Sequence, residues 1–244
     1  MIFHNQRFSA TGYTIIEKIF DKFTLKLKSR EAAANVLTES IKGFICKEAR
    51  SNCIVMGIPK GGIVVGNIIA SKLGCKFDIV VSLRLRAKSN EEVGIGAVAE
   101  DGIPYLNYEL IQQMTISQSY IENEIRDRIE EVIRRRTKYR IECNAYQIND
   151  KTVILTDDGA ATGATIIAAA RWIKRKYTPR CLIVAVPIAP VDTVFLMKKE
   201  VDRIEVILRP PRSRFCSVEQ FYQQFHQVNE AQIIQIMKKF TLQC

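Results

Sequence analysis

The stretch VILTDDGAATGAT, running from Val153 to Thr165, decides the fold. Its opening residues are apolar or β-branched and read as a buried strand. Asp157 and Asp158 end that strand, a run of Gly, Ala and Thr follows, and a helical pattern, IIAAARWIKRK, begins at once. Small residues let backbone N–H groups approach an anion without a Cβ in the way. Thr162 and Thr165 add hydroxyl donors. The helix start behind them supplies roughly half a positive charge. Ala161, Thr162, Gly163, Ala164 and Thr165 thus form a cradle for one phosphate monoester. Beside it, Asp157 and Asp158 can accept hydrogen bonds from vicinal hydroxyls, directly or through Mg2+ and its waters. A helix cap would explain one of these carboxylates but not both together with the cradle.

Outward from that stretch, short Val- and Ile-rich runs alternate with helical patterns. Strands are expected at 53–58, 77–83, 152–157, 181–186 and 203–208, and helices at 30–47, 62–73, 117–140, 164–177 and 190–200. The strands lack polar alternation, as strands buried on both faces do. The order implies an α/β fold: a parallel, Rossmann-like sheet with right-handed crossovers, flanked by helices. Ligands of such sheets sit at the carboxyl ends of the strands. Residues 1–29 read as an amphipathic extension and 30–210 as the core. Residues 211–244 read as a tail of interleaved aromatics, Phe215, Phe221, Tyr222 and Phe225, ending in a helix at 230–240.

Composition narrows the function classes. The chain has 244 residues, 47% hydrophobic and 25% charged, which excludes collagen-like and disordered classes. No apolar run reaches the roughly 18 residues of a membrane span, and no export signal opens the chain, so a cytoplasmic protein without a membrane partner is expected. The cysteines, 46, 53, 75, 143, 181, 216 and 244, are odd in number, lack a CxxC pair, and read as buried thiols of a reducing compartment. Two histidines, His4 and His226, poorly supply a metal site or a Ser-His-Asp triad. The net charge is +10, with the densest basic run at 134–140. That run ends a helical pattern with Glu122/Arg126, Glu124/Arg128, Glu130/Arg134 and Glu131/Arg135 at pairing distance, so it reads as an ion-paired, solvated face. Nucleic acid is not the expected partner.

A second chemical stretch is MGIPKGG, Met56 to Gly62, again a strand, a glycine turn and a helix start. Successive N–H groups in such a turn form an anion nest, and Lys60 adds a point charge. A third, 82–98, carries Arg84, Arg86 and Lys88 and reads as a polar lid loop. Neither Gly159 and Gly163 nor Gly94 and Gly96 complete a P-loop or a dinucleotide fingerprint.

A terminal phosphate with a diol nearby is a ribose 5-phosphate. The stretch 153–165 resembles the 5-phosphoribosyl 1-diphosphate (PRPP) motif of type I phosphoribosyltransferases, and residues 25–226 resemble a subgroup of stand-alone members. That resemblance implies a transferase of nucleotide metabolism that moves ribose 5-phosphate from PRPP to a nitrogenous base or other nitrogen acceptor, with inversion and Mg2+ as cofactor. It implies a pyrophosphate loop at Pro59, Lys60, Gly61 and Gly62 with a cis Pro59–Lys60 bond, Arg84 on the departing pyrophosphate, and Asp157 and Asp158 on the sugar hydroxyls and metal. It implies a small hood, built from terminal segments, for the base. Regulators of the same fold bind PRPP and control a nucleic acid; a PRPP sensor is the alternative. A homodimer is the usual expectation for a symmetric assembly.

Overall fold

The computed structural model describes residues 26–88, 90–140 and 148–241. Of the extension expected at 1–29, residues 1–25 lie outside them. The chain enters helix α1 (Arg30–Lys42), with the Ser29 hydroxyl accepting from the Ala32 N–H, and Gly43 closes the helix earlier than expected. Strand β1 (Cys53–Gly57), helix α2 (Gly61–Leu73) and strand β2 (Lys76–Ile79) follow. Strands β3 (Leu83–Ala87), β4 (Asn90–Val98) and β5 (Pro104–Leu106) come next, then helices α3 (Tyr108–Gln113) and α4 (Gln118–Tyr139). Strand β6 (Thr152–Thr156), helix α5 (Ala164–Lys176), strand β7 (Cys181–Ile188), helix α6 (Val191–Lys198), strand β8 (Arg203–Leu208) and helix α7 (Glu230–Thr241) complete the order.

β2, β1, β6, β7 and β8 form a parallel sheet in that order. Alternation along each strand serves two cores. Val55, Ile154 and Ile183 pack with Leu37 and Ile41 of α1 and with Ile63 and Ile69 of α2. Ile54, Val153, Leu155 and Val184 pack with Ile167, Trp172 and Ile173 of α5. The expected α/β class is the observed one.

The expected strand at 77–83 stops at Ile79, and the expected polar loop at 82–98 is not a loop. β3, β4 and β5 form a separate antiparallel ribbon. The reason is a period-2 pattern hidden by charge: Leu83, Leu85 and Ala87 are buried while Arg84 is exposed. Among the tail aromatics, Phe221 and Tyr222 are core, packed with Ala33, Ile188 and Leu208. A two-way backbone ladder ties this tail to the N-terminal side, Leu27 N–H to the Phe221 carbonyl and Gln223 N–H to the Leu27 carbonyl, both 2.8 Å. The thiols are not all buried as expected: Cys53 and Cys75 are, whereas Cys46 and Cys216, outside the strands, are exposed. Cys143 and Cys244 lie outside the described residues.

Four cations of the basic run, Arg134, Arg135, Lys138 and Arg140, are ion-paired. Arg134 and Arg135 both reach Glu131 at 2.6 Å, which holds its carboxyl down at about 2, and Lys138 pairs with Glu230. Arg140 is no surface cation. Its guanidinium donates to both oxygens of Glu100 (3.1 Å each), to the Ile79 carbonyl (2.7 Å) and to Asp78 (3.3 Å). Glu100 also accepts the Val81 N–H at 3.1 Å, so the cluster fixes the chain where it leaves β2. Burial pushes the Asp78 carboxyl up, with Arg140 opposing. Removing Arg140 leaves Asp78 and Glu100 without their shared guanidinium partner. Arg140→Ala is expected to cost about 3–5 kcal/mol in urea denaturation, against less than about 1 kcal/mol for a surface pair.

Candidate active site

Neighbouring strands place the two glycine turns side by side. β1 and β6 are adjacent and in register, with Gly57 opposite Thr156. The Ile58 N–H donates to the Thr156 carbonyl at 2.9 Å, so the turn after β1 is stitched to the end of β6. The Thr156 hydroxyl donates to the Ala185 carbonyl (2.7 Å) and the Ala160 N–H to the Ile188 carbonyl (2.8 Å), anchoring the other turn to β7. The Pro59–Lys60 bond is cis. A Cβ on Gly61 would overlap the Asp158 carboxylate, which is why that position has none. Gly163, at φ +74°, occupies the left-handed region just before α5.

A cleft of about 560 Å3 opens over these turns. Pro59, Lys60 and Gly61 line it, as do Arg84 and Ser82, the acidic pair with Gly159, and the run from Ala161 to Thr165. Gly62 does not; it lies beneath, where a Cβ would stand 2.8 Å from the Asp157 Cα. Arg84 projects from β3. Arg86 and Lys88 are absent from the lining; the Arg86 backbone is taken up by Glu124 and Tyr120 of α4. The Ser82 hydroxyl is buried and has no protein partner among the described residues.

The electrostatics centre on the acidic pair. Burial, followed by the charge of Asp158, pushes the Asp157 carboxyl well above the usual carboxylate range, while the Asp158 N–H, donating to Asp157 Oδ1 at 2.8 Å, opposes this. Asp158 Oδ2 accepts from Arg30 Nε at 2.7 Å, and the Asp158 carbonyl accepts from the Tyr222 hydroxyl at 2.8 Å. Arg30, Val218, Phe225, Gln227 and Val228 complete the cleft. Sequence reading gave Arg30 no role in the site. Its one signal was a cation in the first turn of a helix, where the macrodipole disfavours positive charge and a tertiary partner must compensate.

A profile of the family described as "Phosphoribosyl transferase domain" matches residues 25–210. The chain belongs to that family. Relatives from two Mycobacterium tuberculosis strains, "Putative phosphoribosyl transferase Rv0571c" and "Putative phosphoribosyl transferase MT0597", are 27% identical over 186 residues, 76% of this chain and 41% of theirs. The matched stretch thus spans less than half the length of these curated relatives. The crystal structure of TT1426 from Thermus thermophilus is 28% identical with a TM-score of 0.69, over 88% of this chain and 99% of that one.

The oxygen donors that the cleft could offer a divalent cation are those of the acidic pair. Among the described residues no cluster gathers three His, Cys, Asp or Glu side chains. Two carboxylates are too few for an all-protein cage but suit a hard ion that keeps waters and takes oxygens from its ligand. Among the described residues no helix is long and apolar enough to cross a membrane.

A carboxyl whose folded-state value is raised gives full stability below its unfolded value, near 3.9, and loses it as pH rises through the folded value. Asp157 is such a group. Asp157→Asn is therefore expected to raise the melting temperature at pH 7, with the gain vanishing toward pH 4. A gain independent of pH, or a loss at pH 7, would contradict the raised value.

Proposed function

We propose that this chain is a phosphoribosyltransferase that binds PRPP with Mg2+ and transfers its ribose 5-phosphate to a nitrogen acceptor, releasing pyrophosphate. The observation that carries the reading is that the Lys60 turn, the acidic pair and the Thr162 turn line one cleft. In this reading Ala161, Thr162, Gly163, Ala164 and Thr165 hold the 5-phosphate by N–H and hydroxyl donation. Pro59, Lys60 and Gly61, backed by Gly62, hold the pyrophosphate with Arg84. Asp157 and Asp158 hold the ribose hydroxyls. The C1–O bond to pyrophosphate breaks as the acceptor nitrogen bonds C1, and the sugar passes through an oxocarbenium-like state that the carboxylates stabilise. Lys60 and Arg84 meet charge that grows on the departing pyrophosphate, while the phosphate cradle supplies remote binding energy that orients C1. Mg2+, held by Asp157 and Asp158 directly or through water, would add charge stabilisation on the pyrophosphate.

The chemistry is assigned to the core at 30–210 and the acceptor side to the tail after it. The tail aromatics are engaged with each other: Phe215 stacks on Phe221 at 5.5 Å and Tyr222 packs on Phe225 at 5.1 Å. Only Phe225 of these reaches the cleft lining, so the acceptor meets a mixed wall of Val218, Phe225, Gln227 and Val228. The free thiols favour a reducing, cytoplasmic setting. A PRPP sensor that controls a nucleic acid would use free cations of the basic run; Arg134, Arg135, Lys138 and Arg140 are paired with Glu131, Glu230, Asp78 and Glu100, which favours the transferase.

Replacing both Asp157 and Asp158 by Asn is expected to cut pyrophosphate release, in a screen of bases with PRPP and Mg2+, by about 1,000-fold or more. Release at the parent rate would reject the assigned role. Lys60→Ala is expected to weaken pyrophosphate binding about 10- to 100-fold, the worth of one charge-assisted contact. Ribose 5-phosphate binding should hardly change; equal losses in calorimetry would reject the pyrophosphate-loop assignment.

A further inference from the structure

Arg30 divides its guanidinium between Asp158 and the tail. Nε donates to Asp158 Oδ2 at 2.7 Å, Nη1 donates to the His226 carbonyl at 2.7 Å, and the flat guanidinium lies 3.7 Å from the centre of the Phe225 ring. Phe225 packs on Tyr222 at 5.1 Å, and the Tyr222 hydroxyl returns to the Asp158 carbonyl at 2.8 Å. Four residues thus close a ring, Asp158 to Arg30 to Phe225 to Tyr222 and back. The ring grips Asp158 by its side chain and its main chain, while Gly61 gives the carboxylate room on the other side. The ion pair is nearly dry, with side-chain exposure of 9% for Arg30 and 16% for Asp158. Nothing in the local helix calls for this cation at the start of α1.

We propose that Arg30 is the positioning residue of the acidic pair: it fixes the Asp158 carboxylate in the orientation that receives the ribose hydroxyls and ties that carboxylate to the strap at 222–226. The inference rests on reading the cleft as a PRPP site. Arg30, Gln227 and Val228 line both this cleft and an adjoining cavity of about 380 Å3, so they form the wall between the two spaces where the strap at 222–226 ends. A change in the strap on the acceptor side therefore reaches the sugar side through one guanidinium. The planar fork and the stacked face are properties of arginine that lysine lacks.

The test is PRPP binding with Mg2+, measured by calorimetry on the full chain and on R30Q, R30K, F225L, D158N and the D158N/R30Q pair. R30Q is expected to bind about 10-fold or more weakly, the worth of a charge-assisted contact. R30K should recover only part of that, because it restores charge without fork or stack. In the double variant the loss should equal that of D158N alone within about 2-fold, since Arg30 acts through Asp158. F225L keeps every charge and removes the stacked face; an expected loss of about 3-fold tests the same ring should R30Q fail to fold. Binding by R30Q and F225L at the parent level, or losses that multiply in the double variant, would overturn the role of Arg30 while leaving the PRPP site standing. A parent chain that binds no PRPP would overturn the site and this inference together.

Discussion

Two carboxylates on consecutive residues at the end of a buried strand repel each other and lose hydration together, and the cleft is organised around that cost. Asp157 answers it by a raised proton affinity and a hydrogen bond from the next N–H. Asp158 answers it with Arg30 at 2.7 Å. A ligand that brings hydroxyl donors, or a cation with its waters, relieves the same tension more completely than the protein does alone.

Topology supplies the rest. Because β1 and β6 are adjacent in the sheet, the turns that leave them open into the same space. Both turns are glycine-rich where they approach each other, since any Cβ on Gly61 would displace the carboxylate. The antiparallel ribbon adds Arg84 from a third direction, and the tail closes a fourth with Val218, Phe225, Gln227 and Val228. Each wall thus comes from a different part of the chain, and the carboxyl end of the sheet is where they meet.

Legibility in the sequence followed locality. That the turn at 161–165, the acidic pair and the Lys60 turn share a cleft was readable because each stands just after a strand of one parallel sheet. The parallel sheet was readable from apolar runs that lack alternation. The ribbon was not, because Arg84, Arg86 and Lys88 suggested solvent, and their alternation with Leu83, Leu85 and Ala87 carried less weight than their charge. Arg30 is 128 residues from Asp158, and nothing nearby in the chain names its partner. Arg140 looked like the end of a solvated run, yet it is the centre of a buried cluster whose carboxylates lie 40 and 62 residues away. Contacts of that range are set by the fold rather than by local pattern.

The most direct measurement is a crystal structure of the chain with ribose 5-phosphate bound. The expected result has the phosphate oxygens within hydrogen-bonding distance of the N–H groups between Ala161 and Thr165, and the ring hydroxyls facing Asp157 and Asp158. A sugar phosphate seated reversed, with its phosphate on the Lys60 turn, or bound outside this cleft, would contradict the central claim.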